Sequence, residues 1–287
     1  MAVTLPLTSA FVVTLLNTVA GATIQTDINI ATAFTTFSLL IFLFLFIKKV
    51  KITKEEMKLG LGAGLVLGAA FSLQTVGLMH TTSSKNAFIT GAYVVCVPFM
   101  LWILTKKRPK LITYISSIIC FAGIGFLSLD GDLSMNYGDV LTLICAFFFA
   151  LQISIIGAKI GNMNPVVINA FQMFSGGLLT LLLNITYENF SIVTTKLTSV
   201  QVIAVGFLIL FNTLIAYLVQ TTAQKYVESS TASLILSTEI LFGAITSVIL
   251  LGDPVTIKTV MGGLLIFASV VIAETELKFF DKKYIES

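Results

Sequence analysis

Long apolar stretches separated by short polar links run along most of the chain. A helix that spans a membrane needs about 20 consecutive, mostly apolar residues. The links are too short to hold a folded soluble domain, so the pattern predicts an all-α polytopic membrane protein with ten transmembrane helices. The predicted segments are 5–25, 29–47, 58–79, 87–104, 111–129, 138–159, 165–186, 200–221, 231–251 and 258–275.

The composition agrees with a membrane location. Of the 287 residues 56% are hydrophobic and 11% are charged, against about 25% charged residues in a soluble domain. The net charge of +3 is small and the basic residues stand in short clusters, so no nucleic-acid partner is expected. Cys96, Cys120 and Cys145 lie inside apolar runs without a short spacing. They predict small buried side chains and neither a disulfide framework nor a metal site.

The basic clusters predict the orientation. "KKVKITKEEMK" follows the second segment and "KKRPK" follows the fourth, and such clusters stay on the cytoplasmic side. Of the 17 Lys and Arg residues, only Lys85, Lys196 and Lys258 fall on the opposite side. We therefore expect both termini to be cytoplasmic and the protein to be a multi-pass protein of the cytoplasmic membrane.

An internal repeat is visible when Gln74 is placed over Gln220. "SLQTVGLMHTTSSKNAFI" then lies over "LVQTTAQKYVESSTASLI", and Tyr93 lies over Glu239. Five helices per half is an odd number, so the halves, residues 1–137 and 138–287, would have inverted topology. In that arrangement the binding site is expected near the membrane midplane, where the halves meet.

Three stretches resemble a known family. They are "TTSSKNAFITGAYVVCVP" at 81–98, "GDVLTLICAFFFALQISI" at 138–155 and "STEILFGAITSVILLGDPVTIKTVMGGLLIFASVVIAE" at 237–274. With the five-plus-five arrangement, they are similar to EamA-type members of the drug/metabolite transporter superfamily. The resemblance implies a transporter whose cavity is surrounded by helices one, three, four, six, eight and nine. It departs in the first hairpin, where Ala20 precedes Gly21 instead of the family's usual Trp.

Glu239 is the acidic residue of the apolar run "LILSTEILFGAIT". It falls near the bilayer centre, where a charged side chain costs on the order of 2.5–3.5 kcal/mol and usually faces the bundle interior. Two interpretations remain open. Glu239 binds a substrate ammonium or carries an exchanged proton, or it is a protonated side chain that only holds a neighbouring helix.

Neutral polar side chains are the other candidate ligands. Asn212 and Gln220 share one face of the eighth segment, with Tyr217 beside them, because residues four apart lie on the same side of a helix. They could orient a substrate or only join helices. The remaining candidates are Gln74 by the repeat, Gln152 and Ser154 by their mid-helix position, and, from the resemblance, Tyr93, Thr90, Thr23 and Gln25.

Two further features have structural alternatives. Lys85 is the one base at the outer end of the fourth segment; it is either an electrostatic gate or a lysine that extends to the interface. Gly60, Gly64 and Gly68 recur every four residues and predict a smooth face for close helix packing.

No enzyme is expected, because the chain has one His and lacks a metal-ligand cluster, a Gly-rich phosphate loop and an intramembrane acid pair. We expect no cofactor and no metal. The preferred function is a secondary transporter or facilitator for a small polar metabolite, first an amino acid or related zwitterion, with export suggested by the resemblance. The alternatives are a structural or lipid-handling membrane protein and a drug- or nucleotide-type exporter. Partners are the solute and the lipid bilayer; the sequence leaves the oligomeric state open, and a monomer is compatible.

Overall fold

The computed structural model describes residues 47–81, 83–128, 135–187, 215–251 and 255–285. The first predicted segment and nearly all of the second lie outside these ranges, together with most of the eighth. The candidate residues Thr23, Gln25 and Asn212 therefore lie outside the described residues.

Every regular element within the described ranges is a helix, as the apolar pattern predicts. In chain order the helices are α1 (Lys54–His80), α2 (Ser83–Gly91), α3 (Tyr93–Thr105), α4 (Leu111–Ser128), α5 (Tyr137–Lys159), α6 (Pro165–Tyr187), α7 (Ala216–Ala223), α8 (Ser229–Leu251) and α9 (Ile257–Ile285).

Several of these helices have the length and composition of membrane spans. Four stretches are long and apolar enough to cross a bilayer: Lys54–His80, Lys85–Thr105, Tyr137–Lys159 and Pro165–Leu183. Leu111–Phe126 and Ile257–Ala273 are shorter apolar helices. The described part of the chain is thus an all-helical, membrane-type bundle.

Polar caps set the starts of α1 and α5. The Thr53 hydroxyl accepts from the Glu56 N–H at 3.2 Å, and the Thr53 N–H donates to Glu56 Oε2 at 2.9 Å. Asn136 and Asp139 form the same reciprocal pair before α5. These capping boxes satisfy backbone N–H groups that a helix start leaves unpaired. For this reason α1 begins at Lys54, ahead of the predicted residue 58.

Two predicted segments differ from the helices observed. The single segment 87–104 is divided at Ala92 into α2 and α3, because the Ala92 N–H donates to the carbonyl of Ile89, three residues back, and tightens the turn. The last helix continues to Ile285, past the predicted end at 275. Its terminal residues are charged, and Lys and Glu are good helix formers that need no apolar face.

The predicted glycine face on α1 is confirmed. A Cβ at Gly60 would lie 2.6 Å from the carbonyl oxygen of Ile168, and one at Gly68 would lie 2.8 Å from that of Gly176. A Cβ at Gly64, between them, would overlap the backbone of α6 as well. The small residues therefore let α1 and α6 pack backbone to backbone.

A second packing layer joins α3, α4, α8 and α9. Val94, Cys120, Ile124, Leu234 and Ile266 form its buried core. Val97 and Met100 pack instead on Ala150 and Ile153 of α5, so α3 connects this layer to the α1, α5 and α6 group. Cys120 and Cys145 are buried free thiols, as predicted, whereas Cys96 is only half-buried.

Candidate functional site

A chain of three carboxamides connects α5, α6 and α7. Gln152 donates from Nε2 to Gln172 Oε1 at 3.3 Å, and its Oε1 accepts from Gln220 Nε2 at 3.3 Å. Gln152 and Gln172 are fully buried, whereas Gln220 is half-buried. The structure therefore brings the two predicted glutamines together. It adds Gln172, an amide in a mostly apolar segment, which the sequence prediction missed although Gln152 carries the same signal.

Gln74 makes a separate set of contacts. Its Nε2 donates to Thr90 Oγ1 at 3.4 Å, so these two predicted residues meet. Asn86 donates to the carbonyl of Gln74 at 3.5 Å and to Thr142 Oγ1 at 2.9 Å, which links α1, α2 and α5. Gln74 and Gln220 occupy matching repeat positions but bond to different partners.

Tyr93 contacts the helix that carries Glu239. Its hydroxyl lies 3.2 Å from Ser237 Oγ and 3.5 Å from the carbonyl oxygen of Ser233. Glu239 follows Ser237 by two positions on α8, and its side chain lies outside the described residues. The repeat partner of Glu239 thus reaches the same helix across the two predicted halves.

Ser154 and Tyr217 have neighbours different from those of Gln152. Ser154 is buried and donates to the carbonyl of Val97 on α3 at 3.3 Å. Residues two apart on a helix point roughly 200° apart, so Ser154 faces α3 while Gln152 faces α6 and α7. The Tyr217 ring packs edge-on against Phe71 with centroids 6.2 Å apart.

Lys85 is ion-paired at one end of α1. Its Nζ lies 3.7 Å from Asp139 Oδ2, with side-chain exposures of 14% and 1%. Asp139 also accepts from the Thr81 hydroxyl and, at 2.9 Å, from the Asn136 N–H. Lys85 therefore forms an ion pair with the first turn of α5. The sequence reasoning missed Asp139, although the Asn136-x-x-Asp139 spacing indicates a helix cap.

A second buried acid occupies the opposite end of α1. Glu56 accepts from the Asn164 N–H at 2.8 Å. Burial alone would raise the pKa of its carboxyl, but the hydrogen bonds from Asn164 and Thr53 and the positive charge of Lys225 lower it below its ordinary value. Lys225 also donates to the carbonyl of Met163 at 2.9 Å. The Thr53-x-x-Glu56 cap was the signal available in the sequence. Along α1, residues 56 and 80 are about 36 Å apart at 1.5 Å per residue.

These two end contacts share one property. Each joins residues from the first predicted half to residues from the second. Lys85 bonds to Asp139, and Glu56 bonds to Asn164. Between the two ends lie the three linked carboxamides, the Gln74–Thr90 contact and the Tyr93–Ser237 contact. All of these side chains are uncharged.

Comparisons with known proteins agree with this architecture. The EamA-like transporter family matches residues 1–129 and 136–275, so the match covers the chain in two repeats. An uncharacterized transporter from Archaeoglobus fulgidus is 30% identical over 223 residues, which cover 76% of this chain and 68% of that protein. A crystal structure with 13% identity superposes with a TM-score of 0.77 over 97% of this chain and 98% of that one, and this likeness concerns the fold alone.

The family and the relative indicate a transporter and not an enzyme. The apolar helices agree with a protein that crosses the membrane several times. Because the family match covers most of the chain, the protein belongs to the EamA-like transporter family of the drug/metabolite transporter superfamily and is a membrane transporter.

Proposed function

We propose that the protein is a secondary transporter or facilitator that moves a small polar metabolite, an amino acid or related zwitterion, by alternating access. The observation that carries this proposal is the pair of contacts at opposite ends of α1, Lys85 with Asp139 and Glu56 with Asn164. Each joins the two predicted halves. Breaking one while the other holds opens the bundle to one side of the membrane only.

Neutral hydrogen-bonding groups between the two ends suit a zwitterion. Amides and hydroxyls orient an amino or carboxyl group without the cost of a buried fixed charge. Gln152, Gln220, Gln74 and Thr90 supply such groups. Glu239 is the proposed partner of the substrate ammonium or the carrier of a coupled proton, since an intramembrane acid usually marks a substrate or proton path.

The proposed orientation follows from the distribution of positive charge. With both termini cytoplasmic, the Glu56 end faces the cytoplasm and the Lys85 end faces outward. Lys85 and Asp139 then form the outer gate. Export is the proposed direction, supported by the resemblance of the chain to EamA-type transporters. The proposed location is the cytoplasmic membrane.

A thermal-shift screen followed by flux tests this proposal. Purified protein is screened against a metabolite collection that contains the amino acids, drugs and nucleotides, and each hit is measured in proteoliposomes. We expect an amino acid to raise Tm and to enter proteoliposomes faster than protein-free liposomes. If a drug or a nucleotide is the sole transported hit, the amino-acid substrate is wrong and the drug- or nucleotide-type exporter is favoured. If no solute is bound or transported, the structural or lipid-handling alternative is favoured.

A further inference from the structure

Buried amide groups without partners lie on α6 beside the carboxamide chain. Asn169 is fully buried one turn before Gln172. Among the described residues, neither polar atom of the Asn169 amide has a hydrogen-bond partner, and the same is true of Gln172 Nε2. Gln172 contacts Gln152 through its other atom, so its unpartnered Nε2 adjoins the middle of α5.

Helix α7 also carries buried polar atoms without hydrogen-bond partners. Thr221 Oγ1 and Gln224 Oε1 are buried and have no partner within the described ranges. Their helix is held against α5 by two amides, because Gln220 bonds to Gln152 and Gln224 donates to the carbonyl of Ile153 at 2.7 Å. Gln172, Gln220 and Gln224 therefore all bond to consecutive residues of α5, Gln152 and Ile153. Asn169 lies one turn from Gln172 on α6, and Thr221 follows Gln220 on α7.

Helix-joining hydrogen bonds do not account for this arrangement. A polar side chain that only joins two helices finds its hydrogen-bond partners on the neighbouring helix. A buried polar group without a partner costs as much as a lost hydrogen bond, so it needs an explanation in function or in a bound molecule. Asn169 is the clearest instance, because both its donor and its acceptor are unused.

We propose that this amide cluster, defined as Gln152, Asn169, Gln172, Thr221 and Gln224, binds the uncharged carboxamide or hydroxyl side chain of a zwitterionic substrate. The inference rests on the proposed transport of zwitterions and names the substrate class. A carboxamide presents one acceptor and two donors and can pair with the Asn169 amide through two hydrogen bonds. A charged side chain would enter a site whose own groups are neutral, and an apolar one would leave the amides unpaired.

Three matched amino acids test the selectivity. L-Glutamine carries the carboxamide, L-glutamate is its charged isostere, and L-methionine has a similar length without the amide. Counterflow of each labelled amino acid is measured in proteoliposomes. We expect the kcat/KM for glutamine to exceed the other two by on the order of a hundredfold, since two hydrogen bonds at about tenfold each are lost with the analogues.

Two substitutions on α6 separate recognition from structure. Asn169→Leu keeps the volume and removes the unpartnered amide, so it should raise Tm while lowering the kcat/KM for glutamine at least tenfold and sparing methionine. Thr180→Val is the control, because the Thr180 hydroxyl is satisfied by the carbonyls of Gly176 and Gly177; it should leave the selectivity unchanged. If Asn169→Leu does not fold, Gln172→Met carries the same expectation for kcat/KM and selectivity, without the rise in Tm, because Gln172 accepts a hydrogen bond from Gln152.

The outcomes distinguish the two proposals. If the wild type transports other zwitterions but does not prefer glutamine over its analogues, the inference is overturned and the proposed function stands. If Asn169→Leu, or its substitute Gln172→Met, keeps the wild-type preference, the inference is also overturned. If the wild type moves no zwitterion, the proposed function itself fails.

Discussion

The phenol of Tyr93 lies 3.2 Å from the hydroxyl of Ser237, and this contact joins α3 to α8 across the two predicted halves. The internal repeat places Tyr93 over Glu239, two positions beyond Ser237. A repeat register found in the sequence thus identifies two helices that meet in the structure. It also places the intramembrane acid on a helix that takes part in contacts between the halves, where coupling to a moving substrate is expected.

Glu239→Gln tests the coupling role. The substitution keeps the size of the side chain and removes its titration, so we expect it to abolish uptake driven by a pH gradient while leaving exchange counterflow largely intact. Both rates are measured in proteoliposomes with the solute found by the screen. Glu228→Gln is the control, since Glu228 is exposed just before α8; it should change neither rate. Unchanged proton-driven uptake in Glu239→Gln would refute the coupling role.

Asp139→Asn tests the outer gate. It removes the charge that pairs with Lys85, so the Lys85 end should open more often. In a background whose three native cysteines are replaced by alanine, a cysteine at position 90 should react severalfold faster with an impermeant maleimide added outside. Lys85→Met should also increase the labelling rate. The double variant should label little faster than Asp139→Asn, because both substitutions remove the same interaction. Fully additive effects would show that the two residues act separately.

Glu56→Gln tests the contact at the other end. Glu56 accepts from the Thr53 N–H at Oε2 and from the Asn164 N–H at Oε1, and an amide replaces one of these oxygens with an NH2 donor that would face an N–H group. We expect a loss of about 1.5–3 kcal/mol, the range for a hydrogen bond to a charged group, measured by unfolding in a denaturing detergent. Glu55→Gln on the exposed side of the same turn should cost far less. Equal losses in the two variants would contradict a specific role for Glu56.

Gly64→Ala tests the close packing of α1 on α6. The added methyl group would overlap the Gln172 carbonyl and the Ser175 side chain, so we expect a loss of about 1–3 kcal/mol or more from overpacking. Gly62→Ala is a matched control in the same helix, because its Cβ would meet nothing within 4 Å and alanine favours a helix over glycine. Unfolding curves in detergent should separate the two variants. If Gly64→Ala proves as stable as Gly62→Ala, the helices are not in close contact there.

The apolar pattern predicted the all-helical character of the described ranges, because membrane spans impose a minimum length on apolar runs. It missed the start of α1, which the Thr53 and Glu56 cap sets, since capping depends on single polar residues outside the run. It also missed the charged extension of α9 to Ile285. Helix propensity, and not hydrophobicity, determines such an end.

The sequence named candidate side chains but not their partners. Gln152 and Gln220 contact each other, and Gln172 joins them from a helix outside the cavity that the resemblance implies. Ser154, two residues from Gln152, bonds instead to the backbone of Val97. Which side chains pair depends on the rotation of each helix about its axis. The weak amphipathicity of membrane helices leaves that rotation undetermined by sequence alone.

Counterflow by the wild-type protein tests the central claim most directly. Proteoliposomes are loaded with an unlabelled amino acid and diluted into a trace of the same labelled compound without any ion gradient. An alternating-access transporter should accumulate the label transiently above its equilibrium level. Each time unlabelled solute leaves the liposome, the binding site faces outward and can carry a labelled molecule back in. We predict this overshoot for at least one zwitterionic amino acid. Uptake no faster than in protein-free liposomes for every amino acid tested would contradict the account.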